Sequence, residues 1–157
     1  MIQLSDSGLH IVLYHPEIPA NTGNIGRLCV GSGSTLHLIK PCRFLLTDKE
    51  IRRAGLDYWP KLKLQMHESL EELQSRYPES RVFYCSTKSS KSYTDVEYQE
   101  GDMFVFGPES SGLPQSLLDN HPQSCITIPM HPYIRSLNLS NSVAIILYEA
   151  IRQIRLA

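Results

Sequence analysis

No C-x-x-C pair occurs in this sequence: the four cysteines, Cys29, Cys42, Cys85 and Cys125, lie far apart. That spacing argues against a zinc ribbon or a redox pair and for free thiols in a reducing compartment. The six histidines are scattered and form no H-E-x-x-H motif, so no metal is expected. Apolar runs such as VAIIL at 143–147 fall far short of the ~20 residues a membrane-spanning helix needs. The opening stretch MIQLSDSGLHIVLY has neither a basic n-region nor a small-residue cleavage site, so no signal peptide and a cytoplasmic location are expected. Neither a P-loop nor a G-x-G-x-x-G fingerprint is present, which argues against a ligand held by its phosphates.

What is present is an ordinary globular balance. Its 41% hydrophobic and 20% charged residues in 157 positions suffice for one domain with a sizeable core, so residues 1–157 are read as a single unit. The net charge of −1 hides an asymmetry. Lys40, Arg43, Lys49, Arg52, Arg53, Lys61 and Lys63 crowd one segment around Tyr58 and Trp59, whereas residues 66–102 are rich in Glu and Asp. A basic segment interleaved with aromatics suits a phosphate backbone and a stacked base.

Short apolar runs alternate with helical patterns. LHIVLY (9–14), TLHLIKP (35–41), RVFYCSTKS (81–89), DMFVFG (102–107) and CITIPM (125–130) read as five strands. Between them lie a helix carrying Ile25, Leu28 and Cys29, a short helix DKEIRRAG (48–55) capped by Asp48, and a short helix at Ser116–Leu118. A packing helix is expected with Met66, Leu70, Leu73 and Tyr77 on one face, and a last helix from about Asn138 to Arg155. This order predicts an α/β fold with a mostly parallel sheet flanked by helices.

In such a sheet, ligands bind beyond the carboxyl ends of the strands. Three loops of unusual composition fall there: Cys85-Ser86-Thr87-Lys88, FGPESSGLP (106–114) and IPMHPYIRSLNLSNS (128–142). Gly107 and Gly112 permit close backbone approach, and Glu109 sets a carboxylate at a strand tip. The ligand suggested is a nucleoside-like cofactor without a pyrophosphate. Nearer the amino end, NTGNIGR (21–27) opens a helix with Asn21 and Thr22 as candidate caps. Arg27 is the only Lys or Arg in the first 39 positions, which marks it as an anion contact.

Together IVLYHPEIPANTGNIGRLC (11–29), RRAGLDY (52–58), FGPESSGLP and IPM with RSLNLSNSVA and YEA (128–150) resemble the SPOUT superfamily of RNA methyltransferases. Within it, the resemblance is to the small tRNA (cytidine/uridine-2′-O-)-methyltransferases that act at the wobble nucleotide. It implies a deep trefoil knot over about residues 81–157, a homodimer with active sites at the interface, S-adenosylmethionine as cofactor, and the tRNA anticodon stem-loop as partner. It assigns Cys85, Gly107, Ile128, Ser136 and Leu137 to the cofactor, and Arg27 and Tyr148 to catalysis. Asn21, Arg27, Glu109, Arg135, Ser140 and Asn141 are the substrate-binding candidates. A guanidinium is a poor base, so Arg27 is read as a phosphate clamp and stabiliser of the developing alkoxide. The family commonly has an arginine where this loop has Ser110-Ser111, and a large aliphatic residue at Gly26. The same chemistry on ribosomal RNA, and a non-catalytic RNA-binding knot protein, are the competing readings.

Overall fold

Six parallel strands form one sheet in the order β3-β2-β1-β5-β4-β6. They are β1 (His10–Tyr14), β2 (Thr35–Ile39), β3 (Leu64–His67), β4 (Val82–Cys85), β5 (Met103–Phe106) and β6 (Cys125–Ile126). The computed structural model describes residues 1–45, 49, 53 and 57–156. The five expected strands are all present. The sixth, β3, was not expected: Met66 pairs with Leu38 in the sheet instead of lying on a helix. Leu62, Leu64 and Met66 do alternate with polar residues, but Met66 also stands four before Leu70, and the helical spacing masked the strand. The helix DKEIRRAG lies outside the described residues apart from Lys49 and Arg53.

Among the described residues, four α-helices cover the sheet: α1 (Pro19–Ser32), α2 (Leu70–Arg76), α3 (Gln115–Asp119) and α4 (Leu139–Leu156). Successive strand residues point to opposite faces, and both faces are buried, as parallel sheets require. Ile11, Leu13, Leu36, Leu38, Phe104 and Phe106 meet Ile25 and Cys29 of α1 and Val143, Ile146, Leu147 and Ala150 of α4. On the other face Val12, Ile39, Tyr84 and Val105 meet Leu70 and Leu73 of α2 and Leu118 of α3. Each large side chain buried this way stabilises the fold by about 1.5–3 kcal/mol.

The carboxyl-terminal half crosses over itself. The connection from β4 to β5 passes beside the chain leaving β6: Tyr93 N–H donates to Thr127 O at 2.8 Å, and Thr127 N–H to Lys91 O at 2.8 Å. Further on, the same connection is tied to α4, where Gln153 donates to Val96 O at 3.0 Å and accepts from Tyr98 N–H at 2.8 Å. The return into β5 is pinned by Asp102, wholly buried, which accepts two bonds from the Arg81 guanidinium at 2.8 and 2.7 Å. Such a bidentate pair fixes geometry as well as charge.

Three histidines that are remote in sequence form a ladder on the α2 side. His10 Nδ1 lies 2.9 Å from His37 Nε2, and His37 Nδ1 lies 2.9 Å from His67 Nε2. His37 and His67 are buried, and the Tyr77 ring packs on His10 and His37.

Candidate active site

The β1–α1 turn sets the amino-terminal side of the site. His15 adopts φ 52°, a left-handed conformation uncommon for a residue with a side chain, and Pro16 follows it. The chain swings from there to place Glu17 and Ile18 against the loop after β5. Asn21 and Thr22 are not the caps of α1. The helix starts at Pro19, and both residues lie buried inside it. The acceptor at this end comes from far away in sequence: the Glu109 carboxylate accepts from Glu17 N–H at 3.2 Å and Ile18 N–H at 2.5 Å.

The clasp is reciprocal. Glu17 Oε1 accepts from Ser110 N–H at 2.9 Å and from the Ser110 hydroxyl at 2.6 Å, with Arg43 at 3.4 Å from its other oxygen. The Ser110 hydroxyl and amide, with Arg43 adding to them, hold the Glu17 carboxyl below its ordinary range. Where the resembling family commonly has an arginine, this chain has a serine whose hydroxyl binds a neighbouring carboxylate. Gly26 has a similar explanation. A Cβ there would stand 3.1 Å from the Trp59 ring and 3.3 Å from Leu62, so these side chains occupy the space of a larger residue.

Beyond the carboxyl ends of β4, β5 and β6 lies a cleft of about 450 Å³. Its three walls are the loops after those strands, closed on one side by Ile18 and Asn21. Gly107 sits where the second loop folds back on itself. A Cβ there would lie 2.2 Å from Leu113 N and 2.3 Å from Gly112 C, so no larger residue fits. Burial pushes the Cys85 thiol well above its ordinary range, which makes it an apolar wall and not a nucleophile.

Cys85, Gly107, Ile128, Ser136 and Leu137, the five expected cofactor residues, all line this cleft, as do Asn21, Glu109 and Arg135. Arg27, Ser140, Asn141 and Tyr148 do not. Arg27 is exposed on α1, two turns beyond Asn21, and Tyr148 is exposed on α4. Asn138 joins the two helices at the cleft. Its Oδ1 accepts from Ser140 N–H at 2.9 Å, Asn141 N–H at 3.3 Å and the Ser140 hydroxyl at 2.6 Å, while its Nδ2 donates to Asn21 Oδ1 at 3.1 Å. Asn138 is therefore the α4 cap, and Ser140 and Asn141 are the capped residues. Its position before an apolar helical run was the available signal.

Residues 8–148 match the SpoU rRNA Methylase family. The chain belongs to that family. The SpoU match spans the β1–α1 turn, all three loops around the cleft and most of α4. Among curated SpoU-type relatives, the tRNA (cytidine(34)-2′-O)-methyltransferase of Methylovorus glucosotrophus (strain SIP3-4) is 51% identical over 144 residues, covering 91% of this chain and 94% of that protein. The putative tRNA (cytidine(34)-2′-O)-methyltransferase of Bacillus subtilis (strain 168) is 49% identical over 148 residues, 92% of each chain. A solved structure from work on the 2-OH methylation of C/U34 on tRNA has a TM-score of 0.87 and 45% identity, covering 92% of this chain and 95% of that one. In the SpoU fold, the crossing of the β4–β5 connection over the chain beyond β6 is the carboxyl-terminal trefoil knot. The cleft is built from the knot's own loops.

The cleft suits an adenosine-bearing cofactor. Its walls combine apolar side chains (Phe106, Ile126, Ile128) with backbone N–H and C=O groups of loops that have no secondary-structure partner there. Among the described residues, no group of three or more His, Cys, Asp or Glu is arranged to hold a metal ion. No helix of the described residues is long and apolar enough to cross a membrane.

Proposed function

We propose that this protein is an S-adenosylmethionine-dependent methyltransferase that modifies the ribose 2′-hydroxyl of the wobble cytidine or uridine of tRNA. The observation that carries this reading is the coincidence of two facts. More than nine-tenths of the chain aligns with wobble-nucleotide methyltransferases at about half identity, and all five expected cofactor residues line one cleft. The cofactor supplies an electrophilic methyl group on a sulfonium when bound. Cys85, Gly107, Ile128, Ser136 and Leu137 are the residues that would hold it, and the rest of the chemistry falls to the protein. It must bring the hydroxyl close, exclude water and stabilise the alkoxide that develops as the proton leaves.

Arg27 is the group proposed for that last role, as a clamp on the nucleotide phosphate and the developing negative charge. It stands exposed and outside the cleft of its own chain, which suits a site completed across a homodimer. Ile18 and Tyr148, large apolar residues exposed at 45% and 44%, are then candidates for that interface. The active unit proposed is a cytoplasmic homodimer of this domain, with the tRNA anticodon stem-loop as its partner.

The test is methyl transfer to tRNA transcripts with a wobble pyrimidine, using wild-type protein and Arg27→Ala. Wild-type activity confined to that nucleotide, abolished in Arg27→Ala with cofactor affinity within about twofold of wild type, is expected. Label incorporated into ribosomal RNA and into no tRNA would refute the substrate assignment.

A further inference from the structure

Three cations of the basic segment 40–65 already have carboxylate partners. Lys40 is paired with Glu68 at 2.7 Å, Lys63 with Asp6 at 2.6 Å, and Arg43 with Glu17 at 3.4 Å. The cations at the cleft differ. Lys88, on the wall after β4, and Arg135, on the wall after β6, are exposed, and neither makes an ion pair among the described residues. Two residues before Arg135, Tyr133 is 90% exposed. Its ring is held beside that of His131, with centroids 4.3 Å apart, by a turn in which Ile134 N–H donates to His131 O. A lone exposed apolar residue needs no explanation. Here a tyrosine, a histidine ring and the half-exposed Ile134 lie in the loop segment between Met130 and Arg135, both of which line the cleft.

Exposed aromatic faces beside a groove that carries cations are the means by which proteins grip single-stranded nucleic acid: the bases stack and the phosphates are neutralised. We propose that Tyr133, backed by His131, is the stacking platform for a nucleobase neighbouring the target nucleotide in an RNA loop, with Lys88 and Arg135 on the flanking phosphates. The proposal rests on the RNA-methyltransferase reading above and adds the surface that selects an unpaired loop over a helix. A base held in a duplex presents no free face to Tyr133.

The test uses the full-length protein, an anticodon stem-loop RNA carrying 2-aminopurine beside the wobble nucleotide, and the variants Tyr133→Ala, Tyr133→Phe and Lys88→Ala. Binding should quench the 2-aminopurine in wild type and Tyr133→Phe, and the quench should vanish in Tyr133→Ala. In methylation kinetics, Tyr133→Ala should raise KM for RNA about tenfold with kcat nearly unchanged, while Tyr133→Phe stays close to wild type. Lys88→Ala should lower the salt dependence of binding by about one phosphate contact. Full quench and unchanged KM in Tyr133→Ala would overturn the proposal. So would a Tyr133→Ala protein that sediments as monomers where wild type is dimeric, which would assign Tyr133 to a protein interface. The quench is read without turnover. A wild-type protein that quenched the probe but transferred no methyl group would count against the proposed activity alone.

Discussion

Lowering the pH from about 7.5 to about 5 should cost this fold about 2 kcal/mol through His37 alone. His37 is wholly buried between β1 and β3, with each ring nitrogen engaged by a neighbouring histidine. Burial, then the nearby His10 and His67 rings, push its imidazole down to about 3 from the ordinary 6.5. The unfolded chain takes up the proton near 6.5 and the folded chain resists it to about 3, so the unfolded state binds more protons between those values. The stabilisation is thus complete above 6.5 and is lost as the pH falls. At about pH 5 the gap is ~1.5 units, each worth ~1.4 kcal/mol. His10 and His67 are shifted the same way, both chiefly by burial, and steepen the loss. Around them Tyr77 is the packed aromatic, and Glu72 and Arg76 act on His67 in opposite directions. Glu17, Glu72 and Glu149 are held below the usual 4.5, so their contributions fade only at lower pH. Urea midpoints at the two pH values and one protein concentration, for wild type and His37→Gln, measure the effect. His37→Gln keeps a donor and an acceptor between its neighbours but does not titrate, so its loss should be about 2 kcal/mol smaller. Identical pH dependence in the two proteins would refute the reasoning.

Asn138→Ala should lower stability by about 1 kcal/mol, or roughly 2–4 °C in Tm, by uncapping α4. Asn138→Asp keeps the cap and loses only the bond to Asn21, so its Tm should stay near wild type while cofactor affinity falls; equal melting of the two variants would count against the cap. Gly107→Ala should weaken cofactor binding by about fivefold to about 150-fold in calorimetry, because the new methyl group must displace the Gly112–Leu113 backbone at a cost of about 1–3 kcal/mol. Wild-type affinity in that variant would show that the loop relaxes freely.

Much of the site was legible because its determinants are local. Apolar runs ending in Pro, Gly or small polar residues marked the strand ends, and ligands in a parallel sheet collect there. That reasoning put Cys85, Gly107 and Ile128 at one cleft. What holds the chain where it enters α1 was not legible. The acceptor, Glu109, is 91 residues away from Ile18, and no spacing rule links the two. The histidine ladder was hidden for the same reason: His10, His37 and His67 look scattered until the parallel register of β1, β2 and β3 sets them on one face of the sheet, each two positions along from the last. Arg27 follows Asn21 closely in the chain, but six residues along a helix carry it about 9 Å away and onto another face.

The amino-acid sequence by itself determined which segments bury apolar faces, where the turns fall and which loops carry polar side chains, since those depend on side-chain chemistry and periodicity within a few residues. Only the tertiary structure decided which charges were free to meet RNA. Lys40, Arg43 and Lys63 have carboxylates beside them, whereas Lys88 and Arg135 make no ion pair among the described residues, because an ion pair depends on distances that the folded chain alone sets.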